Sequence, residues 1–111
     1  MTNLAAVSRL CNAIANTFYP DQSTIEFALF NEGVDATAEA TPKDPVIFQV
    51  ALRLVKGYVE SSRSEGGVSL SVRSEEAIKQ SLSMWCNVYG FDAEEELSAL
   101  FRVLEDGSNL W

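Results

Sequence analysis

Histidine is absent from the sequence, and with it go an imidazole general base and the zinc-binding HExxH pattern. Cysteine is scarce. Cys11 and Cys86 lie far apart with no CxxC spacing, so two buried free thiols are expected in place of a disulfide or a metal site. Basic residues number 8 against 16 acidic ones, a formal net charge of −8. Sequence-reading nucleic-acid proteins rely on Lys and Arg to neutralise phosphates, and no basic face is present for that task. Long apolar runs are missing too, because Gln49, Arg53 and Lys56 interrupt the greasiest stretch well short of the ~20 residues of a membrane span. The N-terminus lacks the basic-then-apolar layout of a signal peptide, so an intracellular location is the expectation. Phosphate and calcium loops are equally lacking: there is no GxxxxGK[ST], no GxGxxG and no EF-hand pattern.

Carboxylates are left as the only acid-base candidates. Asp92, Glu94, Glu95 and Glu96 form the densest group, yet they read as the negative first turn of a helix matched to its dipole. Gly66-Gly67 precedes an alternating segment and not a helix, so it reads as a turn, not a phosphate cradle. The serines around it, Ser61, Ser62, Ser64, Ser69 and Ser71, have no base to activate them. No catalytic, cofactor-binding or metal-ligating residue is expected.

What is present is helical periodicity over a chain of 111 residues, 47% of them hydrophobic, enough for one small domain. Leu4, Val7, Cys11, Ile14 and Phe18 recur at helical spacing, with Thr2 or Asn3 as N-cap and Pro20 closing the segment. A second, short helix is expected from the capping-box pair Ser23 and Glu26, with Ile25, Ala28 and Leu29 on one face and Gly33 at the left-handed stop. Residues 34–44 form an acidic loop. Asp44-Pro45 then starts a long helix so apolar that it must be covered on several sides. Val68, Leu70 and Val72 alternate with Ser69 and Ser71, the period of a short strand, spanning about residues 67–72 within a segment 64–73. Ser74 caps the next helix, whose stripe is Ile78, Leu82, Trp85 and Tyr89 and whose end is Gly90. A last helix over 92–106 starts at the Asp92–Glu95 capping box, and Ser108-Asn109-Leu110-Trp111 is an apolar tail. Trp111 either folds back or serves as a hook for a partner. The fold expected is mainly α: about five helices, with one short β segment between the two central ones.

A single strand leaves its amides and carbonyls without partners. It therefore finds a weak mate within the chain or reaches into a neighbouring copy. The acid is concentrated in two blocks, each of net charge −5, over residues 21–45 and 92–106. Such blocks keep a protein soluble and argue against direct nucleic-acid binding.

The order of two N-terminal helices, an acidic loop, a long apolar helix, the run Ser64-Glu65-Gly66-Gly67-Val68-Ser69-Leu70-Ser71 and a helix ending in Tyr89-Gly90 resembles the small head-tail connector (head-completion) proteins of tailed phages and prophages. The resemblance spans roughly residues 3–92. It implies a ring of copies seated on the portal, extending the DNA channel and giving the tail a docking surface. The implied partners are other copies, portal and tail-side proteins, with DNA passing through but not specifically bound. The implied location is the bacterial cytoplasm during assembly, then the head-tail interface of the virion. The interaction residues expected on this reading are Glu65, Gly66, Gly67, Val68, Ser69, Leu70, Ser71, Val72 and Trp111. Two other classes stay open: a non-enzymatic regulatory or adaptor module gripping one protein partner, and a carboxylate-dependent enzyme.

Overall fold

Four amides at the start of an α-helix lack partners within it, and the first helix shows where three of them go. α1 (Asn3–Ile14) is capped by Thr2, whose Oγ1 accepts from the Ala5 N–H at 3.1 Å while its carbonyl takes the Ala6 N–H. The remaining two amides leave the helix. Asn3 N–H donates to the Ala38 carbonyl at 2.9 Å and Leu4 N–H to the Ala36 carbonyl at 3.0 Å, so α1 starts against the acidic loop.

The computed structural model describes residues 1–16, 18–64 and 72–98. The described structure is mainly helical, with α1, α2 (Gln22–Asn31), α3 (Pro45–Ser64) and α4 (Val72–Tyr89); a further helical segment covers 93–98. The chain divides into two compact units, Met1–Val55 and Lys56–Trp111.

In the first unit α1 packs on α2. Val7, Leu10, Cys11 and Ile14 from α1, Ile25 and Leu29 from α2, and Ile47, Phe48, Val50, Ala51 and Val55 from α3 are all buried. The Cys11 thiol reaches the Ala51 carbonyl at 3.8 Å, and Arg53 pairs with Glu32 at 2.7 Å. Each fully buried aliphatic side chain contributes about 1.5–3 kcal/mol, so this set dominates the unit. α3 begins as Asp44-Pro45 predicts: the Asp44 carboxylate accepts from the Val46 N–H at 2.9 Å, and its carbonyl takes the Phe48 N–H.

Two helix ends follow from glycine. Gly33 has φ 70°; its N–H donates to the Phe30 carbonyl and the Val34 N–H to the Leu29 carbonyl. Gly90 repeats the arrangement at φ 78°, with its own N–H on Asn87 and that of Phe91 on Cys86. Both are Schellman ends, in which a left-handed residue lets its own amide and the next one satisfy carbonyls of the last turn.

The second unit buries Val59, Ile78, Leu82 and Cys86. Trp85 and Tyr89 are half-buried, their ring centroids 6.5 Å apart. Asp92 caps the segment 93–98, accepting from the amides of Glu94 at 3.0 Å and Glu95 at 3.3 Å.

Three expectations are corrected. α1 ends at Ile14 rather than continuing to Phe18; Phe18 is only half-buried, and its N–H closes a turn on the Ala15 carbonyl at 2.8 Å. Pro20 biases Tyr19 toward extended backbone, which discourages a longer helix. α2 starts earlier than the Ser23 cap: Asp21 is the N-cap, its carboxylate accepting from the Thr24 N–H at 2.7 Å. Val72 belongs to α4 and not to a strand, so Ser74 lies inside the helix. A helical Val72 has its carbonyl taken within its own helix, whereas a strand would need a mate. The rest of the expected strand, with the tail from residue 99 onward, falls outside the described residues. The single β-bridge among the described residues joins Thr2 to Glu39, a pairing the alternation did not indicate.

Candidate protein-interaction surface

α2 is apolar on two sides. Ile25 and Leu29 are buried, but Phe27 and Phe30 are 65% and 73% exposed. At 3.6 residues per turn the Phe pair sits about 150° around the helix from the Ile–Leu pair, so no single core can bury both. Phe27 and Phe30 stand one turn apart and form an aromatic ridge on the side away from the core.

Beside this ridge the chain turns back. The Schellman end at Gly33 sends Val34, Asp35, Ala36 and Thr37 along the outer side of α2, and with Ser23, Glu26, Phe27 and Phe30 they line an open groove of about 640 Å³. The groove wall is fastened. Besides the two α1 amides on Ala36 and Ala38, the Asn3 side-chain amide donates to the Asp35 carbonyl at 2.8 Å and the Ala40 N–H to the Met1 carbonyl at 2.8 Å. The N-terminal ammonium pairs with Glu39 at 2.8 Å.

The rim is acidic. Glu26 accepts from the Gln22 side-chain amide at 2.9 Å, while Asp35 accepts from the Thr37 N–H at 2.9 Å and its hydroxyl at 2.8 Å. Hydrogen bonds from the Thr37 N–H, then its hydroxyl, hold the Asp35 carboxyl below the usual range; those from Thr24 do the same for Asp21. These donors are neutral, so they stabilise the negative charge without cancelling it.

Of the expected interaction residues, Glu65, Gly66, Gly67, Val68, Ser69, Leu70, Ser71 and Trp111 lie outside the described residues, and Val72 opens α4. The reading from periodicity passed over Phe27 and Phe30. Their signal was available: Ile25, Phe27, Ala28, Leu29 and Phe30 put more apolar residues into ten positions than one face can hold.

Among the described residues the other chemistry-bearing groups form no convergent site. Burial pushes the Cys11 thiol up to about 12 and the Cys86 thiol, with help from the Glu96 and Asp92 charges, up to about 11; neither is a nucleophile at neutral pH. No group of His, Cys, Asp or Glu among the described residues is arranged to hold a metal ion. No described helix is long and apolar enough to cross a membrane.

A model of one protein family matches residues 1–111, the whole chain. The chain belongs to DUF6706, a family of unknown function. No curated protein and no solved structure matches it significantly. For this DUF6706 chain the functional reading therefore rests on its own residues.

The second unit supplies a pH dependence. Partial burial, with the neighbouring Glu95 and Asp92 charges, pushes the Glu96 carboxyl above its ordinary value of 4.5. The folded state thus holds this proton to higher pH than the unfolded chain does. The group's contribution to stability is greatest below 4.5 and falls as pH rises through the folded value. Glu96→Gln is expected to abolish that decline. Urea midpoints should favour the variant at pH 7 and converge with wild type near pH 4, and identical profiles would contradict the assignment.

Proposed function

We propose that this chain is a non-enzymatic assembly protein, a head-tail connector of tailed phages or prophages that forms a ring on the portal, extends the DNA channel and offers the tail a docking surface. The observation that carries the assembly reading is the aromatic ridge of α2, held open on the side away from the core. Surfaces of this kind, apolar at the centre with a polar rim, are where proteins meet.

The connector assignment is supported by the likeness over residues 3–92, whose last feature, Tyr89-Gly90, coincides with the Schellman end of α4. On this reading the acidic blocks suit a channel through which DNA slides without adhering. The segment from Val68 to Ser71 would pair with a neighbouring copy and so remove its own free edge. The working location is then the bacterial cytoplasm during assembly and later the virion vertex.

On this reading a portal gene is expected to neighbour this one, and the test is capture by the ring that gene encodes. Wild type is expected to bind in a fixed ratio and to add a ring of density in electron micrographs. Val68→Asp with Leu70→Asp should weaken that assembly while helicity by circular dichroism is retained. A monomer that ignores the portal and retains one host protein would overturn the connector reading in favour of an adaptor.

A further inference from the structure

We infer that the groove between α2 and residues 34–37 receives a cationic amphipathic helix of a protein partner, its apolar side against Phe27 and Phe30 and its Lys or Arg residues against Glu26 and Asp35. The inference rests on the assembly reading only in taking this face as a protein-docking surface. It does not need the phage assignment.

Charge selects the occupant. Glu39 and Glu32 already have cations, the N-terminal ammonium at 2.8 Å and Arg53 at 2.7 Å. Glu26 and Asp35 have only neutral donors among the described residues, Gln22 for the first and Thr37 with the Ala38 N–H for the second. Two copies docked face to face would set these carboxylates against their own images, and like charges across an interface are strongly unfavourable. An anionic lipid surface or a nucleic acid meets the same repulsion. A partner carrying Lys or Arg beside an apolar stripe removes both the open ridge and the uncompensated charge.

Shape agrees with this choice. A trough flanked by a ten-residue helix is about 15 Å long at 1.5 Å per residue, which matches about three turns of a partner helix. Helix-in-groove recognition uses anchors at i, i+3 and i+4, the spacing that Phe27 and Phe30 themselves present. The wall is fixed before binding by the hydrogen bonds from Met1, Asn3 and Leu4, so little ordering opposes association.

The experiment uses the full chain and a fluorescent synthetic peptide, about four helical turns long, with Leu on one face and Lys on the other. Its counterpart carries Glu in place of Lys. Anisotropy at physiological salt should show binding of the Lys peptide and none of the Glu peptide. Phe27→Ser with Phe30→Ser should weaken that binding roughly tenfold or more, as should Glu26→Gln with Asp35→Asn.

Equal affinity for all variants would overturn the inference, because attraction to the chain's general negative charge would then be the whole effect. Phe-dependent binding of the Glu peptide would overturn it as well. So would wild-type self-association that the Phe27, Phe30 variant loses, since a second copy would then be the occupant. The two readings fail separately. Lys-peptide binding that obeys these variants without portal capture sinks the connector alone. Portal capture with variant-insensitive peptide binding sinks the groove alone.

Discussion

Phe48→Ala is expected to destabilise the chain by about 3–5 kcal/mol, the usual range for emptying a buried aromatic position. Phe48 is fully buried in the first turn of α3, and Ile47, Val50 and Ala51 around it are buried as well, so the neighbours have little room to collapse into the space. Small domains are stable by only about 5–15 kcal/mol. The variant should therefore approach the threshold of folding. Its urea midpoint, followed by far-UV circular dichroism, should drop by a large fraction of the wild-type value. Val46 provides the control, since it sits on the same helix two positions earlier and is 36% exposed. Val46→Ala should cost less than about 1 kcal/mol. Comparable losses at the two positions would mean that Phe48 is not the anchor its burial indicates.

Stops and starts that depend on one or two residues were legible in the sequence because their physics is local. Asp44-Pro45 opens α3, Gly33 closes α2 and Gly90 closes α4. Thr2 was one of two candidate caps for α1, and it is the cap. The inward stripes were legible for a related reason: a 3.6-residue period marks which side meets the core, and Val7, Cys11, Ile14, Leu82 and Cys86 are buried accordingly.

Periodicity stops there. It identifies a buried face but does not ask whether apolar residues are left over, so Phe27 and Phe30 escaped notice once Ile25 and Leu29 had accounted for α2. Alternation misled in the opposite way at Val72, where a two-residue period was the stronger pattern but helical backbone satisfies the carbonyl without a second strand. The clasp between residues 1–4 and 35–40 is different again. It joins positions more than 30 apart through backbone groups, which carry no signature in side-chain pattern.

That clasp connects the fold to the proposed surface, and Asn3 is its one buried side chain with a polar group. Asn3→Leu keeps the approximate volume and both backbone hydrogen bonds but deletes the amide that donates to the Asp35 carbonyl at 2.8 Å. A part-buried carbonyl deprived of its donor costs about 1–3 kcal/mol. The unfolding midpoint should move by that amount, less than for Phe48→Ala. The larger consequence is local. Asp35 forms the groove wall with Val34, Ala36 and Thr37, so losing this one bond of the clasp loosens the wall at Asp35 and weakens the preorganisation that lowers the cost of binding. Hydrogen exchange at the amides of residues 36–40 should accelerate, and affinity for the Lys peptide should fall even though neither Phe nor either rim carboxylate has been altered. Thr2→Ala is the companion variant. It removes the cap on the Ala5 N–H, which costs about 0.5–2 kcal/mol, yet leaves the Asn3 contact to Asp35 in place. Equal loss of peptide affinity in both variants would assign the effect to general destabilisation of α1. Loss in Asn3→Leu alone would show that the groove depends on this one hydrogen bond between a helix start and a loop.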